Sequence, residues 1–134
     1  GDFDEPHDIF IGGSQNRVYV ADRKNSRVQV FDQEGKFIAA WKALGQPSSV
    51  YVSKDDTIYV GTAFPDAKAK KGLIRGISVG SAKDGSLKYF IPDPADPDKL
   101  DVGTTASGIA VDAEGSIYAA DVAAHNLRKY VKVK

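Results

Sequence analysis

The chain has 134 residues, 42% hydrophobic, 27% charged and 10% aromatic, with 13 glycines, 6 prolines, no cysteine and no methionine. That length suits one domain, and the missing cysteines exclude disulfides and thiolate metal sites. Eighteen Lys and Arg balance eighteen Asp and Glu, so the long-range field that draws proteins to nucleic acid or to anionic membranes is missing. No apolar run approaches the roughly 18 residues of a membrane helix. The opening Gly1-Asp2-Phe3-Asp4-Glu5-Pro6-His7 lacks the basic and apolar regions of a signal peptide. The composition therefore predicts a soluble chain with no nucleic-acid partner and no membrane span, and the absence of methionine suggests that it does not begin at its natural start.

In chain order, the first two predicted strands lie in Asp8–Asp22, around the polar turn Gly12-Gly13-Ser14-Gln15-Asn16. Arg27–Phe31 and Lys36–Trp41 follow, joined by Asp32-Gln33-Glu34-Gly35, a hairpin turn whose glycine supplies a positive φ. The pattern then starts again. Ser49–Thr62 repeats the strand, turn, strand unit, and Arg75–Val79 and Leu87–Ile91 flank a second glycine turn at Lys83-Asp84-Gly85-Ser86. Gly108–Asp121 is a third copy, followed by Leu127–Val133. Tyr19, Tyr59 and Tyr118 hold equivalent places about 40 and then about 59 residues apart, so the period suits a four-stranded propeller blade with an insertion in the second copy. The expectation is an all-β chain of eleven strands and one partial propeller domain over 1–134. Its blades would span about 7–41, 47–92 and 106–134, the last lacking its outer strand.

Runs such as Val18-Tyr19-Val20-Ala21 and Val28-Gln29-Val30-Phe31 are more apolar than a sheet with one wet face needs. Neighbouring blades would supply the cover, but three blades do not close a ring. One face of the first blade and one of the third should stay bare. Either two chains complete a six-bladed ring as a homodimer, or this is part of a longer propeller.

Tyr19-Val20-Ala21-Asp22-Arg23-Lys24-Asn25-Ser26-Arg27-Val28-Gln29-Val30-Phe31-Asp32, preceded by Pro6-His7-Asp8-Ile9, closely resembles the NHL repeat of six-bladed propellers. The third repeat fits more loosely, and the second has Gly61-Thr62 where the motif has Ala-Asp. Within that family, the Pro-His-Asp-Ile opening and the Ala-Asp-Arg segment look most like the lyase that cleaves peptidyl-α-hydroxyglycine to an amidated peptide and glyoxylate. The resemblance implies a zinc held in the central channel by histidines at this opening in alternate blades, and an arginine after the Ala-Asp pair that serves the substrate. His7 and Arg23 occupy the matching positions. The equivalent of His7 in the third repeat is Ser107, a poor metal ligand, and His125 aligns with a loop instead. A catalytic zinc needs three such ligands and an open fourth position, and this chain offers His7 alone unless a second copy brings another. His7 is thus open to three readings: a zinc ligand, a channel histidine that binds ligand without metal, or part of a turn in which Asp8 caps backbone amides. Arg23, at a loop tip on the same rim, suits forked binding of a carboxylate, or else pairs with a neighbouring acid. Asp22 and Asp121 read as structural.

Two inserted loops complete the inventory. Thr62–Leu73 carries Lys68, Lys70 and Lys71, which read first as a solvated basic loop and, as ligand-binding residues, would cover the channel or attract an anion. Ile91–Leu100 sets Asp93, Asp96 and Asp98 among three prolines. It lacks the glycine and terminal glutamate of a calcium loop, which leaves calcium as the weaker cofactor expectation beside zinc and the loop as a connector. The resulting expectation is a ligand-binding or protein-interaction propeller whose rim is formed by His7, Arg23, Ser107, Lys70 and Lys71, for a small molecule or peptide. A metal-dependent lyase or hydrolase is the alternative. The family resemblance implies a periplasmic or secreted bacterial protein.

Overall fold

The computed structural model describes residues 2–64, 75–94, 103–104, 106–121 and 125–133. Among them every regular element is a strand, and no helix is long and apolar enough to cross a membrane. The first blade is β1 (Pro6–Gly12), β2 (Arg17–Asp22), β3 (Arg27–Phe31) and β4 (Phe37–Trp41). The second is β5 (Pro47–Val52), β6 (Thr57–Phe64), β7 (Gly76–Ser81) and β8 (Leu87–Pro92). After the two-residue β9 (Gly103–Thr104), the third comprises β10 (Gly108–Val111), β11 (Ile117–Asp121) and β12 (Asn126–Tyr130). Within each blade the strands pair antiparallel in chain order, as short connections between consecutive strands dictate.

The expected three sheets of four, four and three strands are present. β9 is an addition, because β6 runs on to Phe64 and pairs Ala63 with Thr104 and Phe64 with Gly103. Gly103 and Thr104, read as part of no strand, are therefore anchored to the second blade, whereas residues 95–100 of the connector lie outside the described residues. β12 also ends sooner than the apolar pattern suggests, with Val131–Val133 outside the ladder. The hairpin turns form as read: Gly35 and Gly85 take φ of 86° and 75°, and Asp32 Oδ1 accepts from the amides of Glu34 and Lys36 at 3.0 and 2.8 Å.

Directly paired residues of an antiparallel sheet share a face, so the registers sort each blade into two. In blade one, one face holds Phe10, Tyr19, Ala21, Val28, Val30, Ala39 and Trp41. It packs against Val50, Val52, Ile58 and Val60 of blade two in a single core cluster. The opposite face of blade two, with Tyr51, Tyr59, Ile77, Val79 and Ile91, packs against Ile109, Val111, Ile117, Ala119 and Tyr130 of blade three in a second cluster. The outward faces are open, as the run pattern implies: Ile9 and Ile11 on blade one are 63% and 58% exposed, and Leu127 on blade three is 70% exposed. Blade one is less bare than expected. The first residues cross the outer part of its open face, where the Phe3 ring lies 5.8 Å from that of Phe31 and Arg27 Nη2 donates to the Asp2 carbonyl at 2.9 Å.

Glycine replaces alanine at position 61 for a steric reason. A Cβ there would come within 2.1 Å of the Ala106 carbonyl and 2.3 Å of Ser49 Oγ, because blade three reaches across to this point of blade two. Both neighbours belong to the contact between blades, so neither can swing clear. Gly61→Ala should destabilise the chain by about 1–3 kcal/mol, the usual effect of overpacking, whereas Gly108→Ala, whose Cβ would meet nothing closer than 3.7 Å, should change the denaturation midpoint far less.

Candidate functional site

The start of the inner strand, the connection from the second strand to the third, and the link into the next blade all lie at one end of each blade. This upper edge carries His7, Arg23 and Ser107. In blade one the β1–β2 register slips between Pro6 and Asp8, leaving His7 in a bulge. Blade two repeats the slip between Pro47 and Ser49, leaving Ser48 there. In blade three Gly108 pairs with Ala120, and Ser107 N–H donates to the Ala120 carbonyl at 2.9 Å. His7, Ser48 and Ser107 are therefore the three equivalent positions, of which Ser48 went unnoticed in the sequence although it lies one repeat period beyond His7.

These inner-strand starts are stitched to one another. His7 Nδ1 lies 2.7 Å from the Ser48 carbonyl. A carbonyl only accepts, so Nδ1 carries the proton and Nε2 is left to face outward. Asp8 caps amides as one reading holds, accepting from Ile9 N–H at 2.9 Å and, across the blade boundary, from Val50 N–H at 3.0 Å. Ser48 Oγ is within reach of the Gly61 and Ala106 carbonyls at 3.1 and 3.3 Å, and Ser49 Oγ donates to the Ala106 carbonyl as well.

Behind the inner strands sits a row of strand-end polar groups. Asp22 is fully buried, and its Oδ2 accepts from Asn25, Arg27 and Gln29 at 3.0, 2.7 and 3.0 Å, while Oδ1 accepts from Asp4 N–H at 2.9 Å. Burial alone would raise its pKa, but these donors hold it below the usual carboxylate value of 3.8. Asp121 is its counterpart in blade three, accepting from Ala106 N–H at 2.8 Å and facing Arg128 Nη1 at 3.3 Å. Arg128 Nη1 also pairs with Asp93 of the second blade at 2.6 Å. Burial would lower the Arg128 pKa, but bonds with Asp93 and Tyr130 and the nearby carboxylates raise it. Blade two departs here. Thr62 stands in the Asp position, its hydroxyl donating to the Gly76 carbonyl at 3.0 Å and accepting from Gly76 N–H at 2.9 Å. A carboxylate could only accept, so it could not make both bonds.

The upper edge also collects polar atoms that are buried without a hydrogen-bond partner: Arg23 Nε, Gln46 Oε1, Ser107 Oγ and both terminal nitrogens of Arg75. The lower edge contrasts with it, since Asp56 there accepts from Ser14 N–H and Oγ–H at 2.8 and 2.6 Å. Among the described residues no hydrogen bond joins His7, Arg23 and Ser107 to one another. Lys68, Lys70, Lys71, Asp96 and Asp98 lie outside the described residues. Arg75, Gln46 and Arg128 had no sequence signal as site residues, because each reads as an ordinary strand-edge side chain.

The fit to a zinc is poor. His7 is the one imidazole among the three equivalent positions, the others being serines, and His125 is exposed in the turn before β12. Among the described residues no group of three or more His, Cys, Asp and Glu could hold a metal ion.

Residues 3–31 match the NHL repeat. Over 135 aligned positions the chain is 30% identical to the human NHL repeat-containing protein 3, an alignment that covers 96% of this chain. The chain spans 36% of the length of that relative. With three antiparallel sheets packed face to face, the structure is consistent with part of an NHL-type propeller.

Because its pKa is depressed in the folded state, the Asp22 carboxylate contributes stability that is fully present above about pH 4 and is lost as pH falls further, through its lowered native value. Asp22→Asn should remove about 3 kcal/mol at neutral pH, as breaking a buried pair does, and denaturant melts should show that its penalty shrinks below pH 3.8.

Proposed function

We propose that the chain is a binding and protein-interaction module that works through the upper edge of its blades, with His7, Arg23 and Ser107 at the contact surface. The observation that carries this reading is the concentration of partnerless buried polar atoms at that edge. Buried polar groups are normally paired, and those that are not become strong ligands once a partner supplies the missing donor or acceptor. Arg23 Nε and Ser107 Oγ are such groups, and the free Nε2 of His7 adds an acceptor beside them. NHL repeats often serve as interaction scaffolds, and the match of residues 3–31 to that repeat supports the same use here. The rigid stitching from Asp8 to Val50 and from Ser49 to Ala106 keeps the groups preorganised, which lowers the entropy lost on binding. A bound peptide or small molecule suits this surface, whose serine hydroxyls at Ser48 and Ser49 are turned to backbone carbonyls.

The open faces of blades one and three are, on the same reading, seats for further blades, from a second copy or from the remainder of a longer chain. Light scattering separates the two: a second copy gives twice 14.4 kDa.

Selecting binders from a random peptide library on the immobilised protein tests the edge itself. Selected peptides should weaken by about tenfold against His7→Ala or Arg23→Ala, the size of effect typical of a contact residue that matters. They should be unaffected by Lys83→Ala on the lower edge. Peptides sensitive to Lys83→Ala and indifferent to both upper-edge changes would refute the assignment.

A further inference from the structure

We infer that a second binding site lies at the lower edge, in the cleft where blade one meets blade two, and that it takes a carboxylate held by Arg17 and the Tyr19 hydroxyl. The site is independent of the upper edge. The cleft has a volume of about 450 Å³, within the range of small-molecule sites. Its lining includes Ser14 from the β1–β2 turn, Arg17 and Tyr19 of β2, Asp56 from the β5–β6 turn and Lys83 from the β7–β8 turn.

Residues two apart on a strand share a face, so Arg17 and Tyr19 both look toward blade two. Tyr19 is 2% exposed, and its hydroxyl, beside Gly13, has no hydrogen-bond partner among the described residues. Blade three shows what this hydroxyl lacks. The registers pair Ile11 with Val18 in blade one and Val111 with Ile117 in blade three. Tyr19 and Tyr118 each follow the second member of the pair, and Gly12 and Asp112 each follow the first. The Tyr118 hydroxyl donates to Asp112 Oδ2 at 3.1 Å. Glycine in the same place in blade one gives Tyr19 no such carboxylate.

The charges of the cleft call for an anion. Arg17 is half-buried and Lys83 exposed, and neither forms an ion pair among the described residues. Asp56, the acid of the lining, is already engaged, its Oδ1 and Oδ2 accepting from Ser14 N–H and Oγ–H at 2.8 and 2.6 Å. Two cations against that acid leave one net positive charge, which suits a singly charged carboxylate better than a phosphate dianion. The Arg17 guanidinium offers a planar fork for it. Burial raises the Tyr19 pKa against the pull of Arg17, so the hydroxyl keeps its proton and donates a further bond. A free acid and an acidic side chain of another protein present the same group.

An amide NMR titration of the whole chain at neutral pH, with sodium acetate against sodium chloride at constant ionic strength, tests the site. Acetate should shift the signals of Ser14, Arg17, Tyr19 and Asp56 saturably, and chloride should not. Affinity should fall about tenfold in Arg17→Gln and in Tyr19→Phe, the size expected for a charged hydrogen bond. Tyr19→Phe keeps the ring in the core, so it separates loss of the hydroxyl from loss of the fold. No saturable shift, shifts confined to other parts of the chain, or unchanged affinity in both variants would overturn the assignment. So would phosphate binding more tightly than acetate. Acetyl-glutamate amide then tells the two sources apart: binding as tight as that of acetate assigns an acidic side chain, and its exclusion assigns a free acid. The peptide selection reads the upper edge and this titration the lower one, so either site can fail with the other intact.

Discussion

Everything in this structure follows from sheets that are apolar on both faces. A strand with one wet face can alternate, but Val28 and Val30 look toward blade two while Val18 and Val20 look the other way. No blade of this kind can bury its surface alone, so stability is shared between neighbours, as in other repeat architectures. The two core clusters are both boundary clusters, one between blades one and two and one between blades two and three. Equivalent positions then face equivalent partners. Ile9 and Ile11 have the same place on blade one that Val50 and Val52 have on blade two, and the second pair is buried because a blade precedes it.

Face-to-face packing fixes the sheets but leaves their edges to polar chemistry, and the two edges are treated differently. At the lower edge the turns close on themselves or on the next turn, as Asp56 does with Ser14 and Asp112 does with the amides of Glu114 and Ser116. At the upper edge the inner strands are sewn together through carbonyls and hydroxyls, and behind the seam some groups are left over. The asymmetry has a simple origin: short hairpins can satisfy their own amides through an Asp or a Gly, whereas the longer upper connections must borrow partners from elsewhere in the fold. Where the borrowing is incomplete, a ligand can take part.

Repeats, strands and hairpin turns were legible in the sequence because they are local. Period, alternation and turn chemistry all act within a few residues, and the glycine turns at Gly35 and Gly85 form as their composition dictates. The roles of Asp8 and Asp22 were legible for the same reason, since an Asp at a strand start or end has amides within reach. What escaped depends on contact between blades. Nothing near Gly61 in sequence says that the Ala106 carbonyl lies over it, and nothing near Ala63 announces pairing with Thr104. The candidate site was half legible. His7, Arg23 and Ser107 do share one edge, but the bond from His7 to Ser48 and those from Ser48 and Ser49 to Ala106 arise between segments far apart in the chain.

The departures from the repeat say more about how the blades differ than the matches do. Asp22 and Asp121 conform to the motif, and each neutralises an arginine, so their charges are consumed in holding strand ends together. Thr62 does not conform. Its hydroxyl both donates and accepts, which serves the strand end as well as a carboxylate would, but it brings no charge. The same substitution therefore closes the backbone at the end of β6 without placing a charge there. Gly61 beside it admits the Ala106 carbonyl, drawing blade three against the inner strand of blade two. Two adjacent residues that break the repeat thus do two separate things: one tightens a blade boundary, and the other closes a strand end through a neutral hydroxyl. A motif written as an average over blades erases both, which is why a repeat is better read blade by blade, with each exception traced to the atom that fills or fails to fill the vacated place.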